Sequence, residues 1–405
     1  MFRRGRQIIF EILREVVHGI FIGRDREARR AYGFDEVALV PGTVTVNPED
    51  ADVSTRLGPV KLDIPILASA MDGVVDVEFA VAMGRLGGLA VLNLDGVQTR
   101  YENPKPLFKK IAEATPEVAT KLVQDIYSKE PVKDKLVAQR VKEIKKGGVL
   151  CAVSSIPQNA ERVGKIAADA GADLFIIQGT VTTARFKSSK GPVVDLAKLC
   201  QKLKIPVIIG NVVTYSAALE LMETGAAALL VGVGPGAACT SRGVLGLGVP
   251  QVTATVDCAA ARDFYYKKSG RYVSIITDGG MSTGGDVCKA FASGADAVMV
   301  GSVFARAEEA PGRGFHWGMA TPHHNLPRGT RVRVGTVGTL KQILHGPASL
   351  DDGTQNIVGA IRTCMGTVGA TNIKEFQLTE IIIAPEIKHE GKLFQQAQKV
   401  GMGKK

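Results

Sequence analysis

No two cysteines of this chain form a Cys-x-x-Cys pair, and Cys151, Cys200, Cys239, Cys258, Cys288 and Cys364 follow no regular spacing. Neither a thiolate zinc site nor a disulfide framework is therefore expected, and the usage fits a reducing cytoplasm. Long apolar runs are missing too. The stretch Ile8 to Ile22 has helical apolar spacing, but Glu11, Arg14 and Glu15 interrupt it too often for a signal h-region or a membrane span. Residues 1–30 read as an extension: loosely ordered, an interfacial helix, or sequence upstream of the natural start. The formal charge is +10, yet Lys and Arg are spread out, with no aromatic-interleaved patch or nucleic-acid-binding motif. A solvated basic surface is expected, without a nucleic-acid or membrane partner.

What is present is a chain of 405 residues, 45% hydrophobic, enough for one large α/β domain over 31–405. Short runs rich in Val, Ile and Leu recur with helical sequence between them: Ile66–Ser69, Leu89–Asn93, Val149–Val153, Leu174–Gln178, Val207–Gly210, Ala228–Gly232, Ser274–Asp278 and Ala297–Gly301. Eight such runs predict a (β/α)8 TIM barrel, whose strands are covered on both faces and so nearly all apolar. Gly-Ala precedes a strand at Gly171, Gly225 and Gly294, where a left-handed glycine would end each helix.

Polar residues fall at the C-terminal ends of these runs. Ser69, Asn93, Gln178, Asn211, Gly234, Asp278 and Gly301-Ser302 would share one mouth, the face that carries the active site in such barrels. After the sixth run comes Gly232-Val-Gly-Pro-Gly-Ala-Ala-Cys239-Thr240-Ser-Arg242, which sets a cysteine at the tip of a glycine-rich loop. Alone it would read as a small apolar residue in a turn; at this mouth it reads as a nucleophile. Gly301-Ser302 and Gly279-Gly280 suit a phosphate, and Asp278 suits two ribose hydroxyls.

The cysteine loop, Gly33-Phe-Asp-Glu-Val-Ala-Leu-Val-Pro41, Pro65-Ile-Leu-Ala-Ser-Ala-Met71-Asp72, Gly210-Asn211-Val-Val-Thr, Asp278-Gly279-Gly280, Met299-Val-Gly301-Ser302 and Gly318-Met319 resemble, in order, the motifs of the IMP dehydrogenase / GMP reductase family, from about Tyr32 to Gly391. The resemblance implies that Cys239 attacks C2 of a purine nucleoside monophosphate and that Thr240 contacts the reacting group. It implies that Ser69 approaches the phosphate, Met71 packs near the base and the Gly318-Met319 backbone reads the hypoxanthine edge. It further implies NAD as cofactor, near Gln178, Asn211, Gly232 and Gly234, and a potassium ion on the carbonyls of Gly234, Gly236 and Cys239. A homotetramer or octamer follows by the same route. The family's dehydrogenases usually carry inserted CBS regulatory domains after the second strand; here Asp95 to Lys146 is too short and reads as helices beside the barrel.

Departures from the family pattern decide the expected reaction. Ala237 replaces a phosphate-binding serine, His316 stands where a phosphate-binding tyrosine is usual, and Gln178-Gly-Thr replaces an Asp-Ser-Ser/Thr segment. The flap, about 313–335, holds neither the dehydrogenase Arg-Tyr pair nor the reductase glutamate after Gly318-Met319. Arg328, with Arg331, His323 and His324 behind it, is the expected activator of water. Lack of the glutamate, which a departing amine needs for its proton, favours an insert-free IMP dehydrogenase over a GMP reductase. A barrel that binds purine nucleotide without turnover is the third reading.

Overall fold

Side chains buried on both faces define the central strands. They are β1 (Ile66–Ala68), β2 (Leu89–Asn93), β3 (Ala152–Ser155), β4 (Leu174–Gln178), β5 (Val207–Val212), β6 (Ala228–Val231), β7 (Ser274–Asp278) and β8 (Ala297–Val300). A computed structural model describes residues 19–189, 193–318, 330–387 and 389–401. Within it each strand pairs in parallel with the next and β8 pairs with β1, closing the expected (β/α)8 barrel. The third strand lies at Ala152–Ser155 rather than Val149–Val153, because the polar Ser154 and Ser155 belong to it.

Alternation sorts the side chains into two cores. Leu67, Leu89, Val91, Ala152, Leu174, Ile176, Ile208, Ala228, Leu230, Ile276, Ala297 and Met299 fill the barrel. Phe175, Ile177, Ile209, Leu229, Ile275 and Val298 point outwards to the helices. The Gly-Ala junctions behave as expected: the helices ending at Asp169, Glu223 and Ala292 are followed by Gly171, Gly225 and Gly294 at φ of +101°, +101° and +104°.

One mouth is plugged. The hairpin Thr55–Leu57/Val60–Leu62 sends Leu57 and Leu62 into the barrel core, and the Ser274 hydroxyl donates to the Arg56 carbonyl at 2.9 Å. Beside it the buried Asp296 accepts from Arg262 (3.1 Å), Tyr272 (2.8 Å), Lys374 (2.5 Å) and the Ile275 amide (2.8 Å). Burial alone would raise its pKa, but Arg262 and Lys374 hold it below the usual carboxylate range. This contribution to stability is present at neutral pH and lost as pH falls through the acid range. Asp296→Ala strands Arg262 and is expected to cost about 3–5 kcal/mol, read as a lower midpoint of chemical unfolding; an unchanged midpoint would contradict that account.

The β2–β3 connection holds α1 (Lys105–Glu113), α2 (Pro116–Lys129) and α3 (Asp134–Lys146), helices beside the barrel in place of inserted domains. At the N-terminus Ile20–Gly23 pairs with Arg26–Ala28, so the end of the stretch expected to be helical is a strand, and its residues before 19 lie outside the described ones. No helix among the described residues is long and apolar enough to cross a membrane.

Candidate active site

Carrying the inward positions up by two residues gives the layer beneath the open mouth: Ser69, Asn93, Ser154, Gln178, Gly210, Gly232, Asp278 and Gly301. Five are polar and three are glycine. The glycines keep the layer low where backbones crowd: a Cβ on Gly210 would stand 2.4 Å from that of Leu230, and one on Gly301 would stand 3.0 Å from the Met71 sulfur and 3.5 Å from the Ser69 hydroxyl. Ser69, Met71 and Gly301 are therefore brought together. Asn211 has the parity of an outward residue, but the β5–β6 register shifts between Gly210 and Val212. That irregularity turns its amide to the mouth.

Asp278 is the hub of this layer. Its Oδ2 accepts from the Asn211 amide at 2.8 Å and the Gln178 amide at 3.2 Å. The residue keeps some exposure at the rim, yet protein surrounds the carboxyl, and this desolvation pushes its pKa up to about 6 against the two amide donors. Gln178 and Asn211 each keep a carbonyl oxygen, which suits a ligand that donates hydrogen bonds, as the ribose and carboxamide of a nicotinamide would. Gly232 enters this layer as backbone only. It is buried, and a Cβ there would stand 2.4 Å from the Asp278 carbonyl.

Glycines also shape the corner where a phosphate is expected. Gly279 and Gly280 take φ of +78° and +82°, open to few other residues, and a Cβ on Gly280 would stand 3.0 Å from that of Pro235. Ser302 lies 3.0 Å from Nε2 of His316, which is buried while its Nδ1 has no partner among the described residues. Burial pushes the imidazole down to about pKa 4, so it is neutral. An orphaned N–H costs more than an orphaned lone pair, which places the proton on Nε2, donating to Ser302. The Ser302 proton is then free for a phosphate. His316 stands behind Ser302, one bond back from the phosphate contact expected of it.

Cys239 is exposed, whereas the other five cysteines are buried or half-buried. Its amide donates to the Gly236 carbonyl at 2.9 Å, and Arg242 braces the loop through the Val233 and Val249 carbonyls. The carbonyls of Gly234 and Cys239 accept no hydrogen bond from described residues, so these neutral oxygens fit a monovalent cation. The hydroxyl within reach of the thiol is that of Ser241, 3.4 Å from Sγ. Thr240, expected to contact the reacting group, heads the short helix Ser241–Leu245 and makes no side-chain capping bond there.

The flap leaves the barrel through β9 (Phe315–Trp317) and returns through β10 (Arg331–Arg333), paired antiparallel. Gly318 lies against the cysteine loop, since a Cβ there would stand 2.9 Å from the Ala238 carbonyl. Met319, His323, His324 and Arg328 lie outside the described residues. Arg331 is not a candidate activator of water: its guanidinium donates to the Ile111 and Ala112 carbonyls at 2.5 and 3.0 Å and stacks over Phe315 at 4.4 Å.

An exposed thiol, a carboxylate hub and a glycine-shaped corner with a serine hydroxyl thus lie on the loops and strand ends of one mouth, and the model of the IMP dehydrogenase / GMP reductase domain matches residues 31–389. The chain belongs to that family. Its relatives include an uncharacterized oxidoreductase of Mycobacterium leprae, 38% identical over 90% of this chain and 99% of the relative. An inosine-5′-monophosphate dehydrogenase of Methanocaldococcus jannaschii is 29% identical over 88% of this chain and 93% of its own length. That alignment runs over 475 positions, more than the 405 of this chain, so the archaeal relative carries sequence absent here. The crystal structure of an IMP dehydrogenase/GMP reductase-like protein from Corynebacterium glutamicum superposes with a TM-score of 0.85 at 35% identity, covering 93% of this chain and all of that one. The protein is thus an oxidoreductase of the family.

Proposed function

We propose that this family member is an IMP dehydrogenase that oxidises IMP to XMP with NAD, for guanine nucleotide synthesis in the cytoplasm. The observation that carries the reading is the single exposed cysteine, Cys239, held on a braced loop whose Pro235 packs on Gly279-Gly280 and whose Ala238 abuts Gly318. The thiolate adds to C2 of the hypoxanthine, placing a carbon–sulfur bond on a tetrahedral carbon. NAD, when bound, accepts the hydride that leaves C2. A thioimidate on Cys239 remains, and water attacks it, breaks the carbon–sulfur bond and releases XMP with the thiol regenerated. Ser241 is placed to hydrogen-bond the sulfur as it leaves. Ser69, Gly279-Gly280, Gly301 and Ser302 hold the phosphate, Asp278 the ribose, and Met71 and Gly318-Met319 the base. Gln178 and Asn211 serve the cofactor side, and a potassium ion on Gly234, Gly236 and Cys239 steadies the loop. Arg328 activates the water.

The sequence after Gly318-Met319 has no glutamate to protonate a departing amine, which supports dehydrogenase over reductase. Absorbance at about 340 nm separates the two: with potassium, IMP plus NAD⁺ should give a rise and XMP, while GMP plus NADPH should give no fall. A fall in the second mixture alone would make the protein a reductase, and silence in both would make it a nucleotide binder. Exposed apolar residues at Ile20, Phe21, Ile22, Leu393 and Phe394 support self-assembly. Light scattering should return four or eight times the 42.9 kDa chain; a monomer would contradict this.

A further inference from the structure

We infer that Tyr127, on α2, is a positioning residue that holds the root of the flap over the bound nucleotide. This inference rests on the proposed reading of the mouth as a nucleotide site. The Tyr127 hydroxyl accepts from the indole N–H of Trp317 at 3.0 Å and donates to Asp72 at 2.5 Å. The same Asp72 oxygen accepts from the Val97 amide at 2.6 Å. One phenol thus ties three segments together: the helix pair, the loop after Met71 and the strand that enters the flap.

The surroundings are apolar. Trp317 is fully buried among Val97, Phe108, Ile111, Val123 and Ile126, so its N–H has little recourse to water. Its neighbours in sequence are the groups that matter: His316 sets Ser302, and Gly318 abuts Ala238, next to Cys239. The returning strand is fixed from the same side, through Arg331 on the last carbonyls of α1. Entry to and exit from the flap are therefore both anchored on the helices that occupy the β2–β3 connection. A hydroxyl that sets where Trp317 rests sets where the flap starts. Its effect falls on the water step assigned to the chain beyond Gly318 more than on the addition of Cys239, whose loop is braced separately by Arg242.

The test is Tyr127→Phe, which keeps the ring and removes the hydroxyl. Trp317 is the chain's single tryptophan, so tryptophan fluorescence reports on the surroundings of this one residue, the Tyr127 contact included. We expect a shifted emission maximum and a kcat about tenfold lower, with KM for IMP within about twofold and more nucleotide standing on Cys239 in the steady state. Trp317→Phe, combined with Tyr127→Phe, checks the linkage: the two losses in kcat should combine to clearly less than their product, as expected for residues that share one interaction while Tyr127 keeps a second to Asp72. Multiplying effects, a kcat equal to wild type, or a tenfold rise in KM with kcat unchanged would each overturn the inference. Wild-type turnover in the same assay distinguishes this failure from failure of the dehydrogenase reading, and the emission shift is read without turnover.

Discussion

Cys239→Ser is expected to lower kcat by at least about 10⁴-fold, since a serine hydroxyl at this loop has no base within hydrogen-bond reach among the described residues and is a far weaker nucleophile than a thiolate. Binding of IMP should survive. The phosphate corner and Asp278 lie on other strands, and the loop is held by Arg242 and by the Cys239 amide rather than by the sulfur. Equilibrium titration with IMP should therefore give a Kd within about threefold of wild type, a loss well below the cost of a charge-assisted hydrogen bond. A variant that keeps full turnover would remove covalent catalysis from the account. Loss of binding along with turnover would mean that the thiol shapes the site rather than reacts.

Asp278→Ala should have the next largest effect. On the proposed reading two ribose hydroxyls lose a charged acceptor, and at about 1.5–3 kcal/mol for each hydrogen bond to a charged group kcat/KM for IMP should fall roughly 10²–10⁴-fold. The pH dependence follows from the same carboxyl. Its pKa in the free protein is pushed up to about 6 by desolvation, so the ionised form that accepts both hydroxyls is present above that value and lost below it. The plot of kcat/KM for IMP should bend downwards as pH falls through about 6. A profile flat to about pH 5 would place the ribose on another group.

The barrel was legible because its strands are buried on both faces, and Leu174–Gln178 or Ser274–Asp278 could be read to the residue. The third strand slipped because Val149, Leu150 and Cys151 extend its apolar run backwards while Ser154 and Ser155 look like loop; Ser155 is in fact tied to Asp95 at 2.8 Å. Period-two counting upward from Ala152 would have found Ser154. Asn211 was found by its motif, whereas the irregularity that turns it inward leaves no mark in the hydrophobic pattern. Ser241, which no motif singled out, needed the turn that brings its hydroxyl to the sulfur. Tyr127 and Trp317 stand 190 residues apart, and no spacing rule joins them. Arg331 looked chemical because it is a cation in a flap, but its guanidinium is occupied by helix carbonyls.

The most direct measurement is peptide mass spectrometry on protein quenched in acid during turnover with IMP and NAD⁺. The account predicts one purine nucleotide bound covalently to the peptide containing Cys239, absent when NAD⁺ is omitted and absent from Cys239→Ser. XMP formed without any such adduct, or an adduct on one of the other five cysteines, would contradict it.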